Sequence, residues 1–220
     1  MHIPDGFINV PTSAGFGVAA ASGVWQGLRK AAGELDDRRI PLAGLAAAFV
    51  FAAQMINFPV AAGTSGHLIG GVLAAVLVGP WLGTVVLTVV LVVQGVFFAD
   101  GGLSAIGLNV FNMAIVAVLG GYAVFLGIRA ILPRRDEFVG VAAGIAAGIS
   151  VMLAALAFSL QYAIGGEGGA DPATVTGAMV GVHALIGLGE GIITGLVVGA
   201  VLRTRRDLVH GAPAREAVHG

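Results

Sequence analysis

Seven apolar stretches separated by short polar breaks organise this chain of 220 residues. They run approximately over Pro11–Leu28, Pro41–Phe58, His67–Gly79, Trp81–Ala99, Gly107–Leu132, Phe138–Ile164 and Ala173–Leu202. A helix crossing a bilayer needs about 20 mostly apolar residues. The first stretch is the most polar. The third is short and reads as a half-span, set off from the fourth by the Gly79–Pro80 break. The pattern predicts an all-α membrane protein, a bundle of about seven transmembrane helices. Residues 1–205 form one transmembrane domain, and 206–220 are expected to be a disordered cytoplasmic tail in which His210 and His219 are inert. No repeat of 20–50 residues is visible, so there is no inverted-repeat signature. Glycines recur every four residues at Gly140, Gly144 and Gly148, and again at Gly187, Gly191, Gly195 and Gly199. Each set makes a smooth ridge suited to close helix packing.

Composition supports this reading. The chain is 57% hydrophobic and 10% charged, whereas a soluble domain carries about 25% charged residues. It has no cysteine, which excludes disulfides, thiolate metal sites and a cysteine nucleophile. Basic residues are few and sit at helix ends, so nucleic acid is not an expected partner. Their placement orients the bundle. With the N-terminus outside, all 11 Lys and Arg fall on the inner side: Arg29, Lys30, Arg38 and Arg39; Arg129, Arg134 and Arg135; Arg203, Arg205, Arg206 and Arg215. The outer loops keep only Asp5, Asp100, Glu167 and Asp171. This satisfies the positive-inside rule and predicts a multi-pass protein of the plasma (inner) membrane with a cytoplasmic C-terminus. No Lys or Arg precedes Arg29, so the basic start of a cleavable signal is missing.

An outside N-terminus gives meaning to Met1-His2. The Met1 amine, the backbone nitrogen of His2 and its Nδ1 form one covalent strip. Binding a cation through all three closes a five-membered and a six-membered ring and leaves one corner of a square open. Square-planar nitrogen coordination suits Ni²⁺ or Cu²⁺. Histidine at position 2 is too large for the usual removal of the initiator methionine, so the amine is expected to stay on Met1. His67, in Gly63-Thr64-Ser65-Gly66-His67 on the same side, is the candidate fourth ligand. Asn57 and Ser65 flank it as candidate orienting residues, and Asp5, within the opening run, is a further candidate for a supporting or path residue.

His183 and Glu190 lie two helical turns apart and share one face. An ionisable residue inside a span usually faces the protein interior or a wet cavity. The pair suits a second ion site, a gate or a structural bond. Gln94, Asn109 and Asn112 fit helix-to-helix ties. No Gly-x-x-x-x-Gly-Lys-Ser/Thr loop, His-Glu-x-x-His or Gly-x-Ser-x-Gly motif is present. The chain is therefore not expected to be an enzyme, and uphill transport would draw on partners or a gradient.

Several segments together resemble the CbiM/NikM family, the substrate-capture components of energy-coupling-factor (ECF) transporters for cobalt and nickel. They are Met1-His2-Ile3-Pro4-Asp5-Gly6-Phe7, Gln54 through Val60, Gly63 through Leu68, Gly79-Pro80-Trp81, Gln94 through Gly102, Leu108-Asn109 with Asn112-Met113, and His183 through Glu190. The resemblance extends over residues 1 to about 195. It implies a seven-helix bundle with the N-terminal segment tucked inside. It implies Ni²⁺ or Co²⁺ as transported substrate, held by the Met1 amine, two nitrogens of His2, and His67, with no organic cofactor. It also implies a membrane coupling subunit, cytoplasmic ATP-binding subunits and a small auxiliary membrane protein as partners. The alternatives are a self-sufficient divalent-metal carrier or channel coupled through Glu190, and an intramembrane enzyme using His183 and Glu190 with Ser65 or Ser104.

Overall fold

The computed structural model describes residues 1–60, 64–133 and 135–212. Among the described residues, seven helices longer than one turn follow one another: α1 Val10–Ala32, α2 Arg39–Gln54, α3 Gly71–Val78, α4 Pro80–Phe97, α5 Ile106–Ile131, α6 Glu137–Gly165 and α7 Pro172–Thr204. Four of them, α4 to α7, are long and apolar enough to cross a membrane. α2 is apolar but has only 16 residues. α3 has eight residues, as its half-span reading anticipates.

Local chemistry sets the boundaries. α1 begins with Asn9, whose side chain accepts the Thr12 N–H at 3.0 Å, followed by Pro11 in the first turn. α7 repeats the device with Asp171, Thr174 and Pro172. In each case the cap satisfies an orphan N–H, and proline forgoes one that has no partner. α2 ends at Gln54 rather than reaching Phe58, because Pro59 cannot continue a helix. The chain instead forms a short antiparallel pair, Phe58 opposite Gly66 and Pro59 opposite Ser65. His67 therefore sits in extended chain before α3. Residues 61–63, including Gly63 of the predicted motif, lie outside the described residues.

Helices α6 and α7 pack backbone to backbone along the predicted ridges. A Cβ at Gly144 would stand 2.6 Å from the Gly191 carbonyl oxygen, and one at Gly187 would stand 2.9 Å from that of Gly148. The middle of α5, Phe111–Gly120, is wound as a π-helix. There Asn112 exchanges two hydrogen bonds of 2.9 Å with Gln161 of α6. This is the predicted inter-helix tie. The core runs through α3, α4, α5 and α6, where Val72, Leu87, Met113 and Phe158 are fully buried. Val89, Leu160 and Leu188 face outward, as contact with lipid demands.

Among the described residues, the basic side chains gather at one end of the bundle, at the close of α1, α5 and α7 and the starts of α2 and α6. Arg134 and Arg215 lie outside the described residues. The segment where the tail was expected to begin is described up to Ala212 and packs against the end of α3. It makes a 3₁₀ turn over Arg206–Leu208. His210 and Gly211 then donate their backbone N–H groups to Leu77 and Val76 at 3.3 and 3.1 Å. These carbonyls end α3 and need partners. Residues 213–220, with His219, lie outside the described residues.

Candidate metal centre

The opening residues enter the bundle as an extended strip. Met1 and Ile3 are fully buried and His2 nearly so. Hydrogen bonds hold the strip along its length. Asn109 of α5 accepts the Ile3 N–H at 2.8 Å through Oδ1, and its Nδ2 donates back to the Ile3 carbonyl at 3.3 Å. Gly102 donates its N–H to the same carbonyl at 2.8 Å. Further along, Asn9 donates to Gly165 at 2.7 Å and Glu167 donates to Phe7 at 2.9 Å. Phe7 packs on Tyr162, with ring centroids 4.8 Å apart.

The strip ends against the His67 segment. The Met1 amine donates to the Ser65 carbonyl oxygen, with the Ser65 hydroxyl 3.4 Å away. The His2 and His67 rings stack with centroids 4.5 Å apart and planes inclined by 27°. His67 Nδ1 bonds the Leu68 carbonyl at 2.8 Å. A carbonyl only accepts, so Nδ1 carries the proton and Nε2 keeps a free lone pair. That Nε2 is buried and has no hydrogen-bond partner among the described residues. A buried polar atom without a partner calls for an explanation such as an ion.

The turn after α4 supplies the counter-charge. Ala99 adopts φ +52° and Gly101 φ +97°, a tight reversal that faces Asp100 toward His2. Asp100 Oδ1 lies 3.1 Å from His2 Nδ1. Gly102 must be glycine, because a Cβ there would stand 2.3 Å from the Asp5 nitrogen. Burial pulls the Met1 amine from 8.0 down to about 4, against the attraction of Asp100. Burial likewise lowers His2 despite its Asp100 partner. For Asp100, burial acts upward. The His2 imidazole, the Met1 amine and the Asn57 side chain outweigh it and leave the carboxyl lowered. At neutral pH the site thus presents a neutral amine, neutral imidazoles and one carboxylate.

The sequence-predicted residues divide into groups. Met1, His2, Ser65 and His67 come together. Asn57 is exposed and reaches Asp100. Asp5 is also exposed. It accepts the Ser104 N–H at 2.7 Å and the Ser104 hydroxyl, which pins the strip to the turn and holds the Asp5 carboxyl below its ordinary value. His183 and Glu190 are buried on the inward face of α7. His183 Nδ1 bonds the Met179 carbonyl at 2.8 Å and its Nε2 is unpartnered among the described residues. Glu190 bonds the chain just after His67.

Asp100 and Asn109 were not among the predicted site residues. Asn109 holds the N-terminal strip rather than tying two helices. Gln94, also read as a tie, is buried with neither side-chain atom well paired among the described residues, and it borders His2. The signal for Asp100 was present: an acid directly after a span and before two glycines. For Asn109 no spacing rule distinguishes a strip-holding amide from a helix tie. Among the described residues no group of three or more His, Asp or Glu side chains is placed to hold a metal. The converging donors include a chain terminus, which is not a side chain.

A family described as the cobalt uptake substrate-specific transmembrane region, CbiM, matches residues 2–208. The chain belongs to the CbiM family. It is a multi-pass membrane protein of metal-ion transport. A putative metal transport protein of Haloquadratum walsbyi is 41% identical over 211 residues, 95% of this chain and 93% of that protein. A putative fused nickel transport protein, NikMN, of Archaeoglobus fulgidus is 38% identical, covering 99% of this chain and 72% of its own length. A cobalt transport protein CbiM of Pelobacter propionicus is 34% identical over 94% of this chain and 93% of its own. The crystal structure of a truncated transition metal transporter superposes with a TM-score of 0.84 at 30% identity, covering 92% of this chain and 99% of that one. The CbiM fold is therefore the frame in which the buried N-terminal strip has to be understood.

Proposed function

We propose that this CbiM-family chain captures Ni²⁺ or Co²⁺ from the outer side of the plasma membrane as the substrate-binding component of an ATP-driven ECF-type importer. The Met1 amine, the backbone nitrogen and Nδ1 of His2, and Nε2 of His67 form a four-nitrogen square around the ion. The observation that carries this reading is the pair of stacked imidazoles, His67 with its Nδ1 committed and its Nε2 free, beside a buried amine that burial keeps unprotonated. A planar set of nitrogens favours Ni²⁺ over Co²⁺, and relatives are named for each metal. A metal at His2 Nδ1 would lie beside Asp100, whose Oδ1 is 3.1 Å from that nitrogen and whose carboxylate compensates the dication's charge.

The N-terminus lies outside and the C-terminus in the cytoplasm, as the clustering of arginines at the opposite end supports. A membrane coupling subunit, cytoplasmic ATP-binding subunits and a small auxiliary membrane protein complete the importer. ATP hydrolysis belongs to those partners, since the chain has no nucleotide-binding loop. A self-sufficient carrier coupled through Glu190 is less well supported, because both carboxylate oxygens are already occupied by backbone N–H groups.

The test is calorimetric titration of detergent-purified protein with Ni²⁺ and Co²⁺, comparing the native start with one extended by a single glycine before Met1. Extension turns the amine into an amide and adds a residue where Met1 is already fully buried. Tight binding by the native protein and none by the extended one is expected. Equal binding by both refutes the terminal chelate.

A further inference from the structure

His67 is one ligand among four in the proposed site, and its side-chain hydrogen bond, to the neighbouring Leu68 carbonyl, does not tie the loop that carries it to a helix. The two residues after Leu68 do. Glu190, on α7, receives the Ile69 N–H at 2.5 Å through Oε2 and the Gly70 N–H at 2.9 Å through Oε1. Gln54, the last residue of α2, donates its Nε2 to the Ile69 carbonyl at 2.8 Å. Ile69 is therefore gripped at both its N–H and its C=O by side chains from two different helices. All three residues are fully or almost fully buried. Glu190 makes no salt bridge among the described residues, so this carboxylate is committed to backbone amides alone.

The rest of α7's inward face lies under the same loop. Thr64 donates to Met179 Sδ at 3.7 Å. A Cβ at Gly66 would meet Ile186 and Val182. The N–H groups that Glu190 receives also lie at the start of α3, where negative charge is favourable.

We infer that Glu190 and Gln54 are the positioning residues of the metal site: together they hold the Ile69–Gly70 backbone so that His67 Nε2 closes the fourth corner of the square. This deepens the proposed metal-capture reading and rests on it. Placing the two clamps on α2 and α7 also ties the position of His67 to the relation between those helices. Relative movement of α2 and α7 would shift His67 against the three N-terminal nitrogens.

Glu190→Gln tests the clamp. A glutamine offers one acceptor oxygen where two N–H groups need partners, and its amide opposes an N–H with another donor. Gln54→Leu removes the other grip and carries the test if Glu190→Gln does not fold. Each purified variant is titrated with Ni²⁺ alone, and the visible absorption of the Ni²⁺ complex is recorded. His67→Ala and the glycine-extended protein serve as references. The expected result is an affinity loss of about 10- to 100-fold, the range for residues that orient a metal ligand. The absorption band should shift toward that of His67→Ala, and added free imidazole should restore the four-nitrogen band. A residue that only supported the fold would lower thermal stability without moving the band or responding to imidazole. Either that result, or wild-type affinity and spectrum in both variants, overturns the inference. Failure of the metal-capture reading itself appears separately, as unchanged binding by the two reference proteins.

Discussion

Replacing Asn109 with alanine probes how the N-terminal strip is held, without touching any proposed ligand. The Ile3 N–H has Asn109 Oδ1 as its partner at 2.8 Å, in a fully buried setting. The Ile3 carbonyl keeps Gly102 N–H at 2.8 Å when the longer 3.3 Å bond from Asn109 is lost. The substitution therefore orphans one buried donor rather than two groups. An orphaned buried N–H costs about 1–3 kcal/mol. At about 1.4 kcal/mol per factor of ten, this corresponds to roughly 5- to 150-fold. The cost falls on the docked strip, and so on the Ni²⁺ affinity that depends on docking. Calorimetry with Ni²⁺ reads the affinity, and hydrogen exchange over residues 1–9 reads the docking. Asn112→Ala is the control, since Asn112 is equally buried but, among the described residues, its side chain bonds only to Gln161. It should lower the melting temperature and leave Ni²⁺ affinity unchanged. An Asn109→Ala protein that binds Ni²⁺ within twofold of wild type, with an equally protected strip, would refute the reasoning.

Three further outcomes follow from the same geometry. Gly102→Ala drives a Cβ into the Pro4–Asp5 backbone, and should cut Ni²⁺ affinity more than tenfold while leaving helix content by circular dichroism intact. Asp100→Asn removes the carboxylate 3.1 Å from His2 Nδ1 and should weaken Ni²⁺ about 10- to 100-fold, the usual scale for groups that support a metal ligand; equal calorimetric affinities would argue against charge compensation. The pH dependence has a definite sign. The Met1 amine goes from 8.0 in the free chain to about 4 when buried, so docking requires it to be neutral. Docking stability is fully present above about pH 8 and is lost progressively as pH falls toward 4, by up to about 1.4 kcal/mol per pH unit. Exchange protection of residues 1–9, corrected for intrinsic rates, should decline over that window, and a pH-independent profile would contradict it.

Much of this molecule is legible in its sequence because a bilayer leaves few choices. Backbone groups inside it must pair within their own helix, so each apolar stretch became a helix, with ends shifted by only a few residues. The glycine spacing of α6 and α7 announced their contact, since period four on a helix can only be one ridge. That Met1, His2 and His67 come together was readable, because the first two are covalently joined at an outside terminus and the third lies beside a recognisable turn on the same side. What the sequence hid were the contacts made across it. Asn109 pairs with Ile3, and Glu190 with Ile69, more than 100 residues apart. A polar residue on a span looks the same whether its partner is a neighbouring helix or an inserted strip. The early end of α2 was also foreseeable from Pro59, but the apolar run through Phe58 concealed it.

The shortness of α3 bears on how far an ion has to travel. Eight residues at about 1.5 Å each span roughly 12 Å, whereas the hydrocarbon slab is about 30 Å thick. His67 precedes this helix by four residues, and the helix ends where His210 and Gly211 close its carbonyls. α4, which starts where α3 ends, runs about 27 Å over its 18 residues, so α3 begins inside the bundle and the low-dielectric layer it crosses is thinner than a full span. The energy needed to move a charge through such a layer falls as the layer thins. On the metal-capture reading, a third stretch folded this short sets the ion's site within the bundle, so that less low-dielectric protein lies beyond it than a full span would interpose.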